Sequence, residues 1–150
     1  MKKNNKGFSL VELIVVVLIM AIIAVALAPQ VMKWVENSRK STDCNNYDSV
    51  VSAVNIALAN ESVMKIVGGG SGVTLTWATT GWSLTGDNSS DDIRGAIGNV
   101  LGANWYSDMK IKRTTDMTDQ FGNSVSSFEI AVDKNGTVSR SHAPSSDSIS

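Results

Sequence analysis

Glu12 is the residue whose type and position carry the clearest chemical consequence. It lies in the run from Phe8 to Ala28, where every other side chain except that of Ser9 is apolar. A carboxylate in such a segment costs on the order of a few kcal/mol unless a partner neutralises it. The pattern therefore predicts a functional site at Glu12 that needs a group of opposite charge.

Few other residues have side chains suited to catalysis or metal binding, and their small number argues against an enzyme. The chain has one histidine, His142, and one cysteine, Cys44. A single thiol cannot form an intramolecular disulfide or a multi-cysteine zinc site, and a single imidazole leaves no histidine pair for a metal. His142 lies in a serine-rich tail without a plausible nucleophile, so a catalytic triad is not expected. The sequence predicts no enzyme, no metal and no cofactor, and it predicts a buried or sheltered Cys44 on a helix.

Two loops contain groups that other proteins use for binding. The stretch 87–92 is rich in oxygen ligands but lacks the spacing and the terminal Glu of an EF-hand, so we interpret it as a capped surface loop. The stretch 68–72 is rich in glycine, but no Gly-Lys-Ser or Gly-Lys-Thr follows it, so we interpret it as a flexible loop. The formal net charge of −1 gives no electrostatic reason to expect nucleic acid as a partner.

The apolar run is long enough to cross a membrane. As an α-helix, the 21 residues from Phe8 to Ala28 rise about 31 Å, which matches a hydrocarbon core of about 30 Å. Lysines before the run favour a cytoplasmic N-terminus, although a similar number of basic residues follows it. The basic residues on the two sides are Lys2, Lys3 and Lys6, then Lys33, Arg39 and Lys40.

Two ordinary explanations leave part of this block unexplained. A secretory signal peptide would use the small-x-small pattern of residues 26–28, but Pro29 would follow the scissile bond and distort the extended conformation that a peptidase grips. A plain membrane anchor explains the length and the flanking charges but not Glu12.

A third explanation accounts for the leader, the carboxylate and the apolar run together. The residues from Lys6 to Glu12 read Lys-Gly-Phe-Ser-Leu-Val-Glu. This motif resembles the class III leader of type IV pilins and pseudopilins, in which a short basic leader ends in Gly and is followed by Phe, with Glu at the fifth mature position. Many familiar pilins also close a C-terminal loop with a disulfide. The single cysteine makes this chain more similar to the major pilins of Gram-positive clostridia.

The resemblance implies a role for each residue of the motif. A prepilin peptidase would cleave between Gly7 and Phe8 and methylate the new amino group of Phe8. Gly7 suits this step because a residue without Cβ lets the backbone enter a tight protease site. The Glu12 carboxylate would meet the positive Phe8 amine of a neighbouring subunit among packed helices, where the pair fixes the register. Cleavage would also remove three lysines and shift the net charge from −1 to −4.

The resemblance further implies partners and a location. The processed chain would form a helical homopolymer, assisted by the prepilin peptidase, a platform protein and the assembly and retraction ATPases. Before assembly it would sit in the inner membrane with its N-terminus in the cytoplasm and its head outside, and afterwards in an extracellular fibre. We expect the major subunit of a type IV pilus that serves adherence, aggregation or surface motility. A minor pilin with an adhesive head and a pseudopilin of a secretion or DNA-uptake system stay open, because all share the leader.

The elements that position these residues follow from helical periodicity. Pro29 removes one backbone hydrogen bond and predicts a helix kink. The apolar stripe from Tyr47 to Leu58 follows the i, i+3, i+4 spacing and predicts a face that packs on a head. The expected organisation is a leader at 1–7, a transmembrane and assembly helix at 8–30, an amphipathic stem helix at 31–61 and an α+β head at 62–150.

Alternation of apolar and polar residues predicts antiparallel strands in the head. The stretches 73–77 and 82–84 form one predicted pair, and 128–132 returns through Asn135-Gly136 in a predicted hairpin. The stretch 109–113 predicts a weaker strand. The expected fold class is α+β, with a long, Pro-kinked N-terminal helix packed at its C-terminal half on a small antiparallel sheet, as in type IV pilins.

Two further expectations concern the rest of the head. Asp91 and Asp92 begin a predicted short helix that ends at Gly102. The tail from Ser139 onwards is predicted to fray, because it is rich in serine.

Overall fold

The protein is described by a computed structural model that covers residues 8–86, 90–113, 117–118 and 124–143. The helices are α1 (Leu10–Leu58), α2 (Glu61–Gly68), α3 (Ser90–Leu101) and α4 (Trp105–Asp108). The strands are β1 (Val73–Ala78), β2 (Gly81–Gly86), β3 (Met117–Thr118), β4 (Ser124–Val125), β5 (Ser127–Val132) and β6 (Val138–Ala143). The chain divides into two compact units, Met1–Asn37 and Ser38–Ser150, and α1 passes from the first into the second. The expected α+β class is confirmed.

In the first unit, α1 is helical through Pro29. A proline inside a helix removes one hydrogen bond, and the strongly helical residues on both sides keep the neighbouring turns formed. Helix α1 is therefore continuous across this residue, and the kink at Pro29 stays a prediction.

In the second unit, the C-terminal part of α1 packs on the sheet through one face. The predicted stripe is confirmed, because Tyr47, Val50, Val54 and Ala57 are all buried. The Tyr47 hydroxyl donates a hydrogen bond to the carbonyl of Glu129 on β5, at 3.0 Å. Burial of the phenol raises the pKa of Tyr47 to about 12, so the hydroxyl stays a donor at neutral pH.

The main sheet has four antiparallel strands in the order β2-β1-β5-β6. Both predicted hairpins are confirmed, with Trp77 opposite Trp82 in one and Val132 opposite Val138 in the other. Gly136 closes the second hairpin at φ 81°, a conformation that glycine adopts without steric cost. Burial alternates along β1 and β5, so one face of the sheet faces α1 and forms the core.

Aromatic residues fill the centre of this core. The indole rings of Trp77 and Trp82 stack at 5.3 Å between centroids, and Trp105 lies 6.0 Å from Trp82. Trp77 also donates its indole N–H to the carbonyl of Met109 at 2.6 Å. Trp34, on α1 in the first unit, is 62% exposed. The tryptophans of the head are thus core residues.

Helix α3 confirms the predicted short helix and offers a test of its local energetics. Gly95 lies inside α3, and a Cβ atom built on it meets no atom within 4 Å. Because alanine loses less backbone freedom on folding, we expect Gly95→Ala to raise the free energy of unfolding by about 0.5–1 kcal/mol. Urea unfolding of the full-length chain in detergent measures this change, and a destabilised variant would contradict it.

Three expectations are wrong. Residues 110–113 form no strand, because the backbone N–H groups of Lys112 and Arg113 donate to the side chain of Asp43 instead of to a neighbouring strand. Cys44 is exposed rather than sheltered, because it lies beside the buried face of α1. The expected fraying from Ser139 is wrong as far as Ala143, because β6 pairs with β5 over its whole length; residues 144–150 lie outside the described part of the chain.

Candidate assembly site

The start of α1 is built by a local hydrogen-bond pattern that involves Glu12. The helix begins at Leu10, so Ser9 is its N-cap and Glu12 its third residue. The backbone N–H of Ser9 donates to Oε2 of Glu12 at 3.0 Å, and the N–H of Leu13 donates to the carbonyl of Ser9 at 3.1 Å. This is the glutamate half of a capping box, and it satisfies a backbone donor that the helix leaves free. The Ser-x-x-Glu pattern of a capping box is present in the sequence, and this role of Glu12 adds to the predicted role as a charge partner.

Phe8 and Glu12 belong to the same helix end. Phe8 directly precedes Ser9, and the backbone N–H of Ser9 donates to the Glu12 carboxylate. The side chain of Phe8 is 85% exposed. The Glu12 side chain is also exposed, and a negative charge at a helix N-terminus interacts favourably with the helix dipole. Gly7 lies outside the described residues, so the bond between Gly7 and Phe8 is not part of this geometry.

The surface of α1 beyond this N-terminal turn is apolar and is not covered by other described parts of the chain. Every residue from Phe8 to Val35 is exposed, and no part of the most apolar stretch of α1 is buried within the chain. Among the described residues, α1 is the helix long and apolar enough to cross a membrane. Covering one exposed Leu, Ile or Val side chain contributes about 1.5–3 kcal/mol, so this surface has a strong tendency to enter lipid or to pack against protein.

A second group of charged residues lies in the second unit and was missed by sequence reasoning. Asp43 on α1 is 0% exposed and Arg113 is 7% exposed. The signal for Asp43 was its position four residues before Tyr47, on the face of α1 that becomes buried. Nothing in the sequence indicated Arg113 as its partner.

The other candidate groups do not gather into a site. Although Cys44 is exposed as a residue, its pKa is raised, first by desolvation of the thiol and then by the carboxylates of Asp48 and Asp43, so the reactive thiolate is disfavoured. In the acidic stretch, residues 87–89 lie outside the described part, and Asp91 pairs with Arg94 at 3.1 Å. Within the described ranges, no three His, Cys, Asp or Glu side chains are placed to hold a metal.

Comparison with known protein families adds the deciding observation. Residues 2–28 match the prokaryotic N-terminal methylation motif. The chain carries a type IV pilin-like class III leader. Such a leader implies processing by a prepilin peptidase and pilus assembly machinery in general. The whole chain has no match among curated proteins or solved structures.

The motif and the apolar helix both support a pilin-like chain. The match covers the basic leader, Glu12 and the apolar part of α1 up to Ala28. The leader and the exposed apolar helix fit membrane anchoring before assembly, and the motif supports a type IV pilin or pseudopilin with a structural role. The closer resemblance to clostridial major pilins stays a prediction.

Proposed function

We propose that this pilin-like chain is the major structural subunit of a type IV pilus. The observation that carries the proposal is the apolar surface of α1, which is exposed from Phe8 to Val35 and contains one carboxylate, Glu12, before Ala28. Exposure of such an apolar surface to water is unfavourable, and either a bilayer or further copies of the helix would cover it. The surface would lie in lipid before assembly and among copies of itself afterwards.

Glu12 would supply the register that apolar packing lacks. Hydrophobic contacts are non-directional, so they bring helices together without fixing how far one slides along another. Cleavage between Gly7 and Phe8 would create an amine one residue before Ser9, and N-methylation would keep its positive charge. Pairing of that amine with Glu12 of a neighbouring subunit is favourable in only one register, because an unpaired charge among packed helices is strongly destabilising.

The head would form the outer surface of the fibre. Its apolar side chains are largely enclosed in one core. In the described part of the chain beyond Val35, the large apolar residues that stay exposed are Ile56 on α1 and Val100 on α3. A polar, self-contained surface of this kind suits a subunit that faces solvent and contacts cells or solid surfaces. We propose adherence, aggregation or surface motility as the role of the fibre.

Shearing of filaments from the native cell tests this proposal directly. The filament fraction is separated from cells, its subunits are quantified, and N-terminal peptides are read by mass spectrometry. We expect this chain to dominate the fraction and its first peptide to begin with N-methylated Phe8.

Each other result has a different meaning. Trace amounts of the processed chain in filaments dominated by another subunit would indicate a minor pilin. A processed chain that stays in the membrane fraction of a secreting or DNA-importing cell would indicate a pseudopilin. Mature surface protein that still begins with Met1 would contradict every pilin assignment and indicate an anchored domain that does not polymerise.

A further inference from the structure

We propose that Asp43 and Arg113 form a conformational latch that fastens the segment from Met109 to Arg113 to helix α1. The proposal concerns the second unit by itself and does not depend on the role of the chain in a fibre. It rests on the burial of both charges, on the number of donors that Asp43 accepts and on the lack of strand pairing in the segment.

Asp43 binds the segment through its backbone and through a side chain. Its Oδ1 accepts the backbone N–H of Lys112 at 2.9 Å, and its Oδ2 accepts the backbone N–H of Arg113 at 3.1 Å. Nη1 of Arg113 lies 3.5 Å from Oδ2 in the same pair. A carboxylate that accepts several charge-assisted or backbone bonds without contact to water is a strong and specific anchor.

Arg113 extends the connection to a third part of the chain. Its Nη2 donates to the carbonyls of Val125 and Ser126 at 3.1 and 3.2 Å, where β4 passes into β5. Its guanidinium carbon also lies 4.8 Å from the centroid of the Phe128 ring. The pair thus joins α1, the segment and the beginning of β5.

Among the described residues, Asp43 and Arg113 make the polar contacts that hold the C-terminal end of the segment. Residues 110–113 belong to no helix or strand, and Met109 and Ile111 are only partly buried. The N-terminal end of the segment is fixed by the indole N–H of Trp77, which donates to the carbonyl of Met109. The backbone of the other end is fixed by Asp43, so loss of this one carboxylate should release the Lys112 and Arg113 amides, even though the Arg113 side chain still binds the carbonyls of Val125 and Ser126.

The latch should open locally. The main sheet is held by its own strand pairs and by the aromatic core, neither of which uses Asp43. Local opening of this kind exposes a few amides to solvent while the rest of the fold stays closed. The exchange rate of the Lys112 and Arg113 amides is therefore the quantity that the latch controls.

Hydrogen–deuterium exchange of the full-length chain in detergent micelles tests the latch. The test variant is Asp43→Asn, which keeps the shape of the side chain, and the control is Asp48→Asn, which removes one partner of the exposed Asp48–Arg140 pair. In Asp43→Asn we expect the Lys112 and Arg113 amides to exchange about tenfold to a hundredfold faster, with β1 and β5 unchanged. In Asp48→Asn we expect wild-type rates at all these sites.

The double variant Asp43→Leu with Arg113→Met covers the case in which the single variant does not fold. Removing both charges avoids an unpaired buried ion, so the sheet should form. Fast exchange at positions 112 and 113 beside a protected β1 and β5 supports the latch. Wild-type rates at positions 112 and 113 in either variant, or equal acceleration in the segment and the sheet, would overturn it.

Discussion

Replacement of Glu12 by glutamine should leave the chain in the membrane and remove most surface filaments. Glutamine keeps the length of the side chain and can accept the N–H of Ser9 as the third residue of a capping box, so the start of α1 should persist. The negative charge is lost, and the Phe8 amine of a neighbouring subunit would be buried without a partner. Breaking a buried ion pair in this way costs about 3–5 kcal/mol, which is enough to prevent assembly.

The measurement is the fraction of the chain recovered in sheared filaments, relative to the total in the cell. We expect a loss of about tenfold or more for Glu12→Gln, since about 1.4 kcal/mol already corresponds to a factor of ten. The matched control is Glu61→Gln, because Glu61 is also an exposed glutamate in the first turn of a helix, α2. This control should assemble at the wild-type level.

A comparison with Glu12→Ala separates the two roles of this carboxylate. Alanine removes both the charge and the capping acceptor, whereas glutamine removes only the charge. Equal loss of filaments in the two variants indicates that the charge is what assembly requires. Wild-type filaments from Glu12→Gln together with loss in Glu12→Ala would mean that Glu12 acts as a helix cap and not as a charge partner.

Replacement of Trp77 by alanine should produce a large loss of stability in the second unit. The side chain is 0% exposed, stacks on Trp82 and donates to the carbonyl of Met109. Large-to-small changes of aromatic core residues reduce the free energy of unfolding by about 3–5 kcal/mol, because they remove contacts and leave a cavity. Urea unfolding of the full-length chain in detergent, followed by the fluorescence of the remaining tryptophans, measures this loss.

Two further variants show which part of the Trp77 effect comes from packing. Trp77→Phe keeps an aromatic ring but loses the indole N–H, so it should cost less than alanine while freeing the Met109 carbonyl. Trp34→Ala removes the same atoms from an exposed position, and its effect on this transition should stay within about 0.5 kcal/mol. A loss for Trp34→Ala as large as that for Trp77→Ala would contradict the assignment of the core.

Much of the fold follows from the sequence because local periodicity and burial agree. The stripe that starts at Tyr47 predicts the buried face of α1, and alternation predicts β1 and β5 with their hairpin partners. The pilin-like motif can also be recognised from local sequence, since it lies within the seven consecutive residues from Lys6 to Glu12. Helix α2 was missed although its N-cap signal was present: Asn60 accepts the N–H of Ser62.

What could not be predicted depends on contacts between distant residues. Alternation in 109–113 indicates an extended segment, but it cannot say whether the N–H groups face a strand or a carboxylate. Here they face Asp43, about seventy residues earlier in the chain. The return through Val138 was predicted, but the extent of β6 was missed for a related reason. The serine-rich composition from Ser139 suggests a free tail, whereas pairing with β5 and the contact of Arg140 with Asp48 hold the strand in place. Local patterns specify the elements, and long-range polar contacts decide how irregular segments are attached.

The positions of the tryptophans give this protein an intrinsic fluorescent reporter of whether the surface around Trp34 is covered. The indoles at 77, 82 and 105 are buried in one cluster, whereas that of Trp34 is open to solvent at the end of the exposed apolar stretch of α1. A water-soluble quencher should therefore quench the red-shifted fluorescence of Trp34 and leave the blue-shifted fluorescence of the buried tryptophans unchanged. Loss of this quenching, as the Trp34 indole becomes shielded, would report the proposed polymerisation in real time without any attached dye.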